Sequence, residues 1–276
     1  MLGALGSFLM MAVGGRELSD TMNTFQIMLV RSLVGIAIIL TIIILRGGNF
    51  ERTQRLKIHF SRNIVHYSAQ VGWFFGVSML PLATVCAIEF TTPIWVALMA
   101  TLFLRENLTR GRVVALVFGF GGVVIILRPD SDMFNIASLA VLWAAIGFAS
   151  AYIFTKMLSE TDEPLTILIY MTVMQTLIGL TPGIIVWVPV GMEDIVWILF
   201  CGIAGLSSHY CLAKALSYAD ALVVIPIDFL RLPLFAFVGF ILYGEALEIM
   251  VICGAVIIFS GNYYNMRTEA SVKETQ

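Results

Sequence analysis

The sequence predicts an all-α fold: a polytopic membrane bundle of ten transmembrane helices arranged as two inverted five-helix repeats. Three observations carry this expectation. The chain is 59% apolar, and ten apolar stretches can be drawn through it, each close to the ~20 residues that cross a hydrocarbon core of ~30 Å. Residues 140 positions apart match without a gap: Leu18, Ser19 and Thr21 fall on Leu158, Ser159 and Thr161, Arg16 on Lys156, Phe8 on Phe148, Pro93 on Pro233 and Gly121 on Gly261. Basic residues, finally, gather on one side. With the N-terminus inside, Arg46, Arg52, Arg55, Lys57, Arg62, Arg105, Arg110, Arg112, Lys156, Lys214, Arg267 and Lys273 lie in inward loops, against Arg16 and Arg128 outside. The positive-inside rule then places both termini in the cytoplasm of a multi-pass protein of the cytoplasmic (inner) membrane. Because each repeat has an odd number of spans, the second enters from the opposite face. Long apolar runs without a period of two read as helices rather than barrel strands.

Taken in order, the first stretch, 2–18, starts directly in apolar sequence and lacks the basic flank and cleavage site of a signal peptide. Its counterpart from Ile136 looks complete, so a few residues are expected to precede Met1 in the native protein. The second stretch, 24–45, holds Arg31; the basic loop 46–62 that follows contains His59 and reads as a topology and lipid-contact feature, not a nucleic-acid site. The third, 63–80, carries His66, the run Trp73, Phe74, Phe75, and a Gly72-x-x-x-Gly76 spacing that permits close helix approach within the bundle. Glu89, Phe90, Pro93 and Trp95 lie in the fourth, 84–104, and the glycines from Gly119 to Gly122 in the fifth, 113–127. Trp143 and Tyr152 belong to the sixth, 136–157; the seventh is 165–188; His209 and Tyr210 lie in the eighth, 194–213. The ninth, 219–243, holds Pro226, Asp228, Arg231 and Pro233, and the tenth is 247–265. The expected units are therefore a first repeat over 1–128, a second over 136–266, and a polar cytoplasmic tail over 267–276.

Residue chemistry narrows the function. Cys86, Cys201, Cys211 and Cys253 fall in predicted spans without a C-x-x-C pair and read as buried thiols. His66 and His209 stand singly, without the i, i+4 clustering of a metal site. The H-E-x-x-H, G-x-S-x-G, Walker A and dinucleotide signatures are absent, so neither an enzyme nor a cofactor is expected. What remains is Arg31, Glu89, Asp228 and Arg231. Each costs about 2.5–3.5 kcal/mol at the centre of a lipid-facing helix, so each should face the bundle interior or a wet cavity. The alternative is that these charges merely pair with one another to hold the bundle, as Asp228 and Arg231 could at i, i+3. Glu89 has no basic residue within one turn and is expected to be unpaired. The helix breaks sharpen the pattern: Pro93 cannot bond to the carbonyl of Glu89, Pro233 to that of Phe229, nor Pro226 to that of Leu222. Bare backbone oxygen is thus expected near mid-membrane, a ligand-free kink being the alternative. Of the aromatics, Trp95 and Tyr152 are the expected stacking walls.

Several motifs jointly carry a resemblance: T-x-P followed after twelve residues by Glu in TTPIWVALMATLFLRE, the run LSYADALVV leading into PLFAFVGFILYGE, GFGGVVIILRP, and Arg31 in the second span. In this order and spacing they resemble EamA-type members of the drug/metabolite transporter superfamily, over essentially the whole chain. The sequence departs from the family pattern at Arg105, where Gly is usual, and in a Pro233-to-Glu245 spacing one residue tighter than Pro93 to Glu106. DFLRLP, with the acid on the fourth span, looks like branches associated with uptake of S-adenosylmethionine or flavin-like metabolites.

The resemblance implies two inverted five-helix repeats with both termini inside, and a central cavity between them. The expected function is secondary transport of a small organic metabolite, amino-acid-like or S-adenosylmethionine-like, by alternating access. Glu89 and Asp228 would serve as substrate-amine or proton sites, and Arg231 and Arg31 as carboxylate or counter-ion partners. Proton coupling is compatible with such carboxylates; the partners are a small-molecule substrate and the lipid bilayer, the protein being a monomer or a homodimer. A non-transporting lipid-modifying enzyme or scaffold is the alternative and would need a nucleophile–base pair at one membrane face. A passive channel would need a continuous polar stripe, whereas only isolated charges are visible.

Overall fold

The computed structural model describes residues 2–47, 52–103, 110–127, 135–218, 230–246 and 248–274, and every regular element among them is an α-helix. In chain order these are α1 (Leu2–Ser19), α2 (Thr24–Leu45), α3 (Leu56–Met79), α4 (Leu82–Glu89), α5 (Thr92–Phe103), α6 (Arg110–Leu127), α7 (Ile136–Leu158), α8 (Pro164–Ile185), α9 (Asp194–Tyr218), α10 (Arg231–Tyr243) and α11 (Ile249–Glu274). Five segments, Thr24–Leu45, Ile136–Leu158, Pro164–Ile185, Asp194–Cys211 and Ile249–Thr268, are long and apolar enough to cross a bilayer unaided. The fourth predicted span is two successive pieces, α4 and α5. Asp228, Pro226, Arg105, Glu106 and Arg128 lie outside the described residues.

Packing follows the repeat. α1 packs on α9 and α3 on α7, while α2 meets α8, α4 meets α10, and α6 meets α11. Exchanging the halves swaps the first two contacts and leaves the other three in place, as a pseudo-two-fold axis between inverted halves requires. The best-matching stretch of sequence also folds the same way twice. The carbonyl of Leu18 accepts from the backbone N–H groups of Thr21 and Met22 at 3.2 and 2.8 Å; that of Leu158 accepts from Thr161 and Asp162 at 3.0 and 2.9 Å. Ser19 Oγ donates to the carbonyl of Arg16 at 2.6 Å, and Ser159 Oγ to that of Lys156 at 2.8 Å. One sequence signal therefore makes one turn, at opposite ends of the bundle. Helix starts are set locally: Asn23 accepts from the N–H of Phe25, and Asn135 from those of Ala137 and Ser138, each at 3.0 Å.

Two boundaries differ from the sequence expectation. α3 begins at Leu56, not near residue 63, so His59 and Arg62 are helical and buried rather than part of a basic loop. Their polarity masks the helix in a hydropathy reading, because the polar groups point inward. The last helix runs through Glu274, well past the predicted end at 265 and through most of the predicted tail.

Unlike those of a water-soluble bundle, the helices expose large apolar side chains while several polar ones join the apolar core. Leu40, Ile44, Leu177, Ile185, Phe237, Phe240 and Val256 are exposed, whereas Gln26, Arg31, Asn63, His66, Gln70 and Gln175 are buried. Lipid is the solvent that stabilises this arrangement. The α3–α7 contact depends on missing side chains: a Cβ at Gly72 would stand 2.6 Å from the carbonyl oxygen of Ala140, and one at Gly76 would overlap the Val141 side chain. Because the obstacle at Gly72 is backbone, Gly72→Ala is expected to destabilise by about 1–3 kcal/mol. A melting curve in detergent checks this; an unchanged midpoint would mean that the two helices are not in such close contact.

Candidate functional site

The break between α4 and α5 comes directly after a buried carboxylate, Glu89. Phe90 closes α4, and the chain restarts at Thr92, immediately before Pro93. Pro93 has no N–H to offer the carbonyl of Glu89. That carbonyl is not bare, contrary to the sequence expectation: Thr92 Oγ1 donates to it at 2.7 Å, and Asn262 Nδ2 of α11 donates to the carbonyl of Phe90 at 3.2 Å. The break is thus held by side chains that substitute for missing backbone donors. In α10, Pro233 falls in the first turn, where N–H groups have no helical partner, so it starts a helix instead of interrupting one. Its expected partner Phe229, like Pro226 and Asp228, lies outside the described residues.

Glu89 is not unpaired. Arg231 Nη1 of α10 donates to its Oε1 at 2.8 Å, and Trp73 Nε1 of α3 donates to its Oε2 at 2.9 Å. Both members of the ion pair are buried, Glu89 at 8% and Arg231 at 5% exposure. The Arg231 guanidinium lies over the rings of Phe8, Phe90 and Phe235, at 5.0, 5.7 and 6.0 Å from their centroids. The pair joins the fourth and ninth spans, which are equivalent in the duplication, across the pseudo-two-fold axis. In a low-dielectric setting such a pair is stable only as a unit, since removing one member strands the other.

Arg31 forms a neighbouring layer. Its Nη2 donates to Gln70 Oε1 at 3.0 Å and to Gln175 Oε1 at 3.3 Å, its guanidinium stands 5.8 Å from the Phe74 ring, and its buried Nε–H has no acceptor among the described residues. Gly205 of α9 makes room, since a Cβ there would lie 3.0 Å from Arg31 Nη1. Gln175 passes the polarity on: its Nε2 lies 2.7 Å from His66 Nδ1, and the His66 ring lies 5.2 Å from that of His209. Because Oε1 of Gln175 accepts from Arg31, its amide donates to His66, whose Nδ1 is the acceptor and whose other nitrogen carries the proton. The two histidines are therefore neighbours, not single residues as the sequence suggested.

These groups line up on α3. His59, Asn63, His66, Gln70 and Trp73 recur every three or four residues, so they share one helix face over roughly 21 Å. The polar stripe missing from the sequence reading thus exists, hidden in a helix counted partly as loop. It was legible as a heptad-like spacing of polar residues. The chosen aromatics fall elsewhere: Trp95 donates to Thr91 Oγ1 of its own helix at 3.2 Å and faces an apolar notch with Phe120 and Leu142, and Tyr152 is 44% exposed. The rings gathered around the charges are Trp73, Phe74, Phe8, Phe90 and Phe235.

Polar latches close both ends. At the end away from the termini, Arg16 pairs with Glu245 at 3.0 Å and also donates to the carbonyls of Val77 and Leu80; Glu245 accepts from the N–H of Leu82 at 2.8 Å, and Tyr243 donates to Glu17 at 2.9 Å. At the end carrying the termini, His59 contacts Asp162 at 2.7 Å, and Arg55 donates to the carbonyl of Met157 at 2.8 Å and lies 3.5 Å from Glu160. Burial alone would raise the Asp162 pKa, but hydrogen bonds from Thr53, His59 and Thr161 outweigh it and hold the carboxyl below its ordinary range.

The sequence profile of the EamA-like transporter family matches residues 1–128 and again 135–267. An S-adenosylmethionine uptake transporter of Rickettsia bellii is 25% identical over 257 residues, covering 93% of this chain and 88% of its own length. A riboflavin transporter of Brucella anthropi is 30% identical, with 87% of each chain covered, and one of Vibrio cholerae is 32% identical over 75% of this chain and 70% of its own. A protein of known crystal structure superposes with a TM-score of 0.66 over 96% of this chain and 95% of its own, at 13% identity, a likeness of fold alone.

Proposed function

We propose, from the premise that this chain belongs to the EamA-like transporter family, that it is a secondary transporter working by alternating access around the Glu89–Arg231 pair. Membership makes it a membrane transporter of small metabolites and not an enzyme. The finer reading rests on one observation: the ion pair is buried where two equivalent spans meet, the fourth of them interrupted, with a latch at each end of the bundle. Breaking one latch while the other holds would expose the pair to one side at a time. The units are the repeats 1–128 and 136–266, with 267–276 as a cytoplasmic tail. The substrate is an amino-acid-like or S-adenosylmethionine-like metabolite, a class to which the similarity to the Rickettsia S-adenosylmethionine uptake transporter lends support. Glu89 is the substrate-amine or proton site, compatible with proton coupling, and Arg31 a carboxylate partner.

Purified protein in liposomes, offered radiolabelled S-adenosylmethionine, riboflavin and a panel of amino acids, tests the substrate class. Saturable uptake of one of the first or last group supports it; uptake of riboflavin alone would overturn it. The cytoplasmic placement of the termini in the inner membrane follows from the basic loops, less Arg62, which the fold buries. A tag after Arg52 is therefore expected to react only from the cytoplasm and one near Asp130 only from outside. Labelling of both from one side would remove the inverted topology.

A further inference from the structure

Among the described residues, two buried arginines face no carboxylate. Arg31 and Arg62 are 6% and 4% exposed, and their partners among the described residues are amide and hydroxyl oxygens and thioether sulfurs: Gln70, Gln175 and Met11 for Arg31, and Asn63, Thr155 and Met171 for Arg62. The two are wired to one centre. Arg62 Nη1 donates to Asn63 Oδ1 at 3.3 Å, Gln175 Nε2 lies 3.5 Å from the same oxygen, and Gln175 Oε1 accepts from Arg31. Between them sit His66, neutral by its hydrogen bond, and His209 beside it. A desolvated cation is ordinarily matched by an anion of the same fold, as Arg231 is by Glu89. Among the described residues the donors here exceed the acceptors, and Arg31 Nε–H, buried and without an acceptor among them, marks a place that they do not fill.

We propose that the Arg31–Arg62 layer is an anion seat, which takes a carboxylate or phosphate group of the transported molecule. This deepens the transport reading and rests on it. It also divides the labour between the layers: Glu89–Arg231 is an internally neutral pair, so the anionic end of the substrate is assigned to the second and third spans, with Gln70, Gln175 and Asn63 orienting the two guanidinium groups. Arginine suits this role because its planar fork matches two oxygens at once.

The test uses the full-length protein in detergent, with L-glutamate and inorganic phosphate as probes and chloride at equal ionic strength as control. The expected result is a rise in melting temperature of about 3–5 °C at a probe concentration about tenfold above its dissociation constant, absent with chloride. A response to glutamate alone assigns a carboxylate, and one to phosphate assigns a phosphate. Arg31→Gln and Arg62→Gln should lose the response. Gln70→Glu guards against variants that fail to fold: it keeps the side-chain shape and supplies an internal carboxylate 3.0 Å from Arg31 in the place of Gln70 Oε1. It should melt higher than wild type without a probe and no longer respond to either one. No anion-specific shift in the wild type, or an equal shift in Gln70→Glu, would overturn the seat, whatever the uptake assay shows. A shift that behaves as expected in a protein without uptake of any offered metabolite would instead retain the seat and overturn the transport reading.

Discussion

Glu89→Gln is expected to abolish transport and to cost about 3–5 kcal/mol of stability, the usual penalty for removing one member of a buried ion pair. The sequence alone suggests the opposite for stability, since an unpaired carboxylate replaced by an amide loses a desolvation cost. The structure reverses the sign: Arg231 would then face an amide, and Trp73 would keep a partner only if the amide oxygen turned towards it. A double variant separates the two effects. In Glu89→Gln with Arg231→Gln no charge of the pair is stranded, so much of the lost stability should return while transport stays absent, a coupling read directly from the mutant cycle. Wild-type uptake by Glu89→Gln would remove the pair from the mechanism.

Glu245→Gln should release the latch at the end away from the termini. The Arg16–Glu245 pair is partly exposed, 18% and 13%, so its loss is expected to cost about 1–3 kcal/mol, between the surface and buried limits. The larger effect is on access. Glu245 also holds the N–H of Leu82, and Arg16 holds the carbonyls of Val77 and Leu80, so one substitution loosens the ends of α3, α4 and α10 together. A cysteine introduced at Leu80, 4% exposed in the closed form, should react several-fold faster with an impermeant maleimide in Glu245→Gln than in the parent. Equal rates would mean that the cluster is packing and not a gate.

The sequence is most legible where helices are continuous and lipid-facing. The second span is read as 24–45 and is found there, because an unbroken apolar run has one physical meaning in a bilayer. The start of α3 is misread because a transmembrane helix whose inner face is polar looks like a loop to any hydropathy argument. Glu89 and Arg231 are identifiable singly, as charges in apolar helices, but their contact spans 142 positions and no local spacing encodes it. The offset of 140 comes closest: it makes the fourth and ninth spans equivalent, and such equivalents can meet at a two-fold axis, as α4 and α10 do. Arg62 and Gln175 were missed for a different reason. An arginine in a basic run reads as topology and a lone glutamine as filler, and only packing shows that both reach Asn63, with Gln175 also bonded to His66.

The central claim is that the two ends of the bundle open reciprocally around the Glu89–Arg231 pair. Double electron–electron resonance in liposomes measures this directly, with one pair of spin labels at Asp20 and Glu193 and a second at Gln54 and Lys156, all exposed positions at the two ends. The account predicts that Glu245→Gln lengthens the first distance and shortens or holds the second, while Asp162→Asn, which weakens the other latch, does the reverse. Distances that lengthen together, or that do not respond to either substitution, would contradict it.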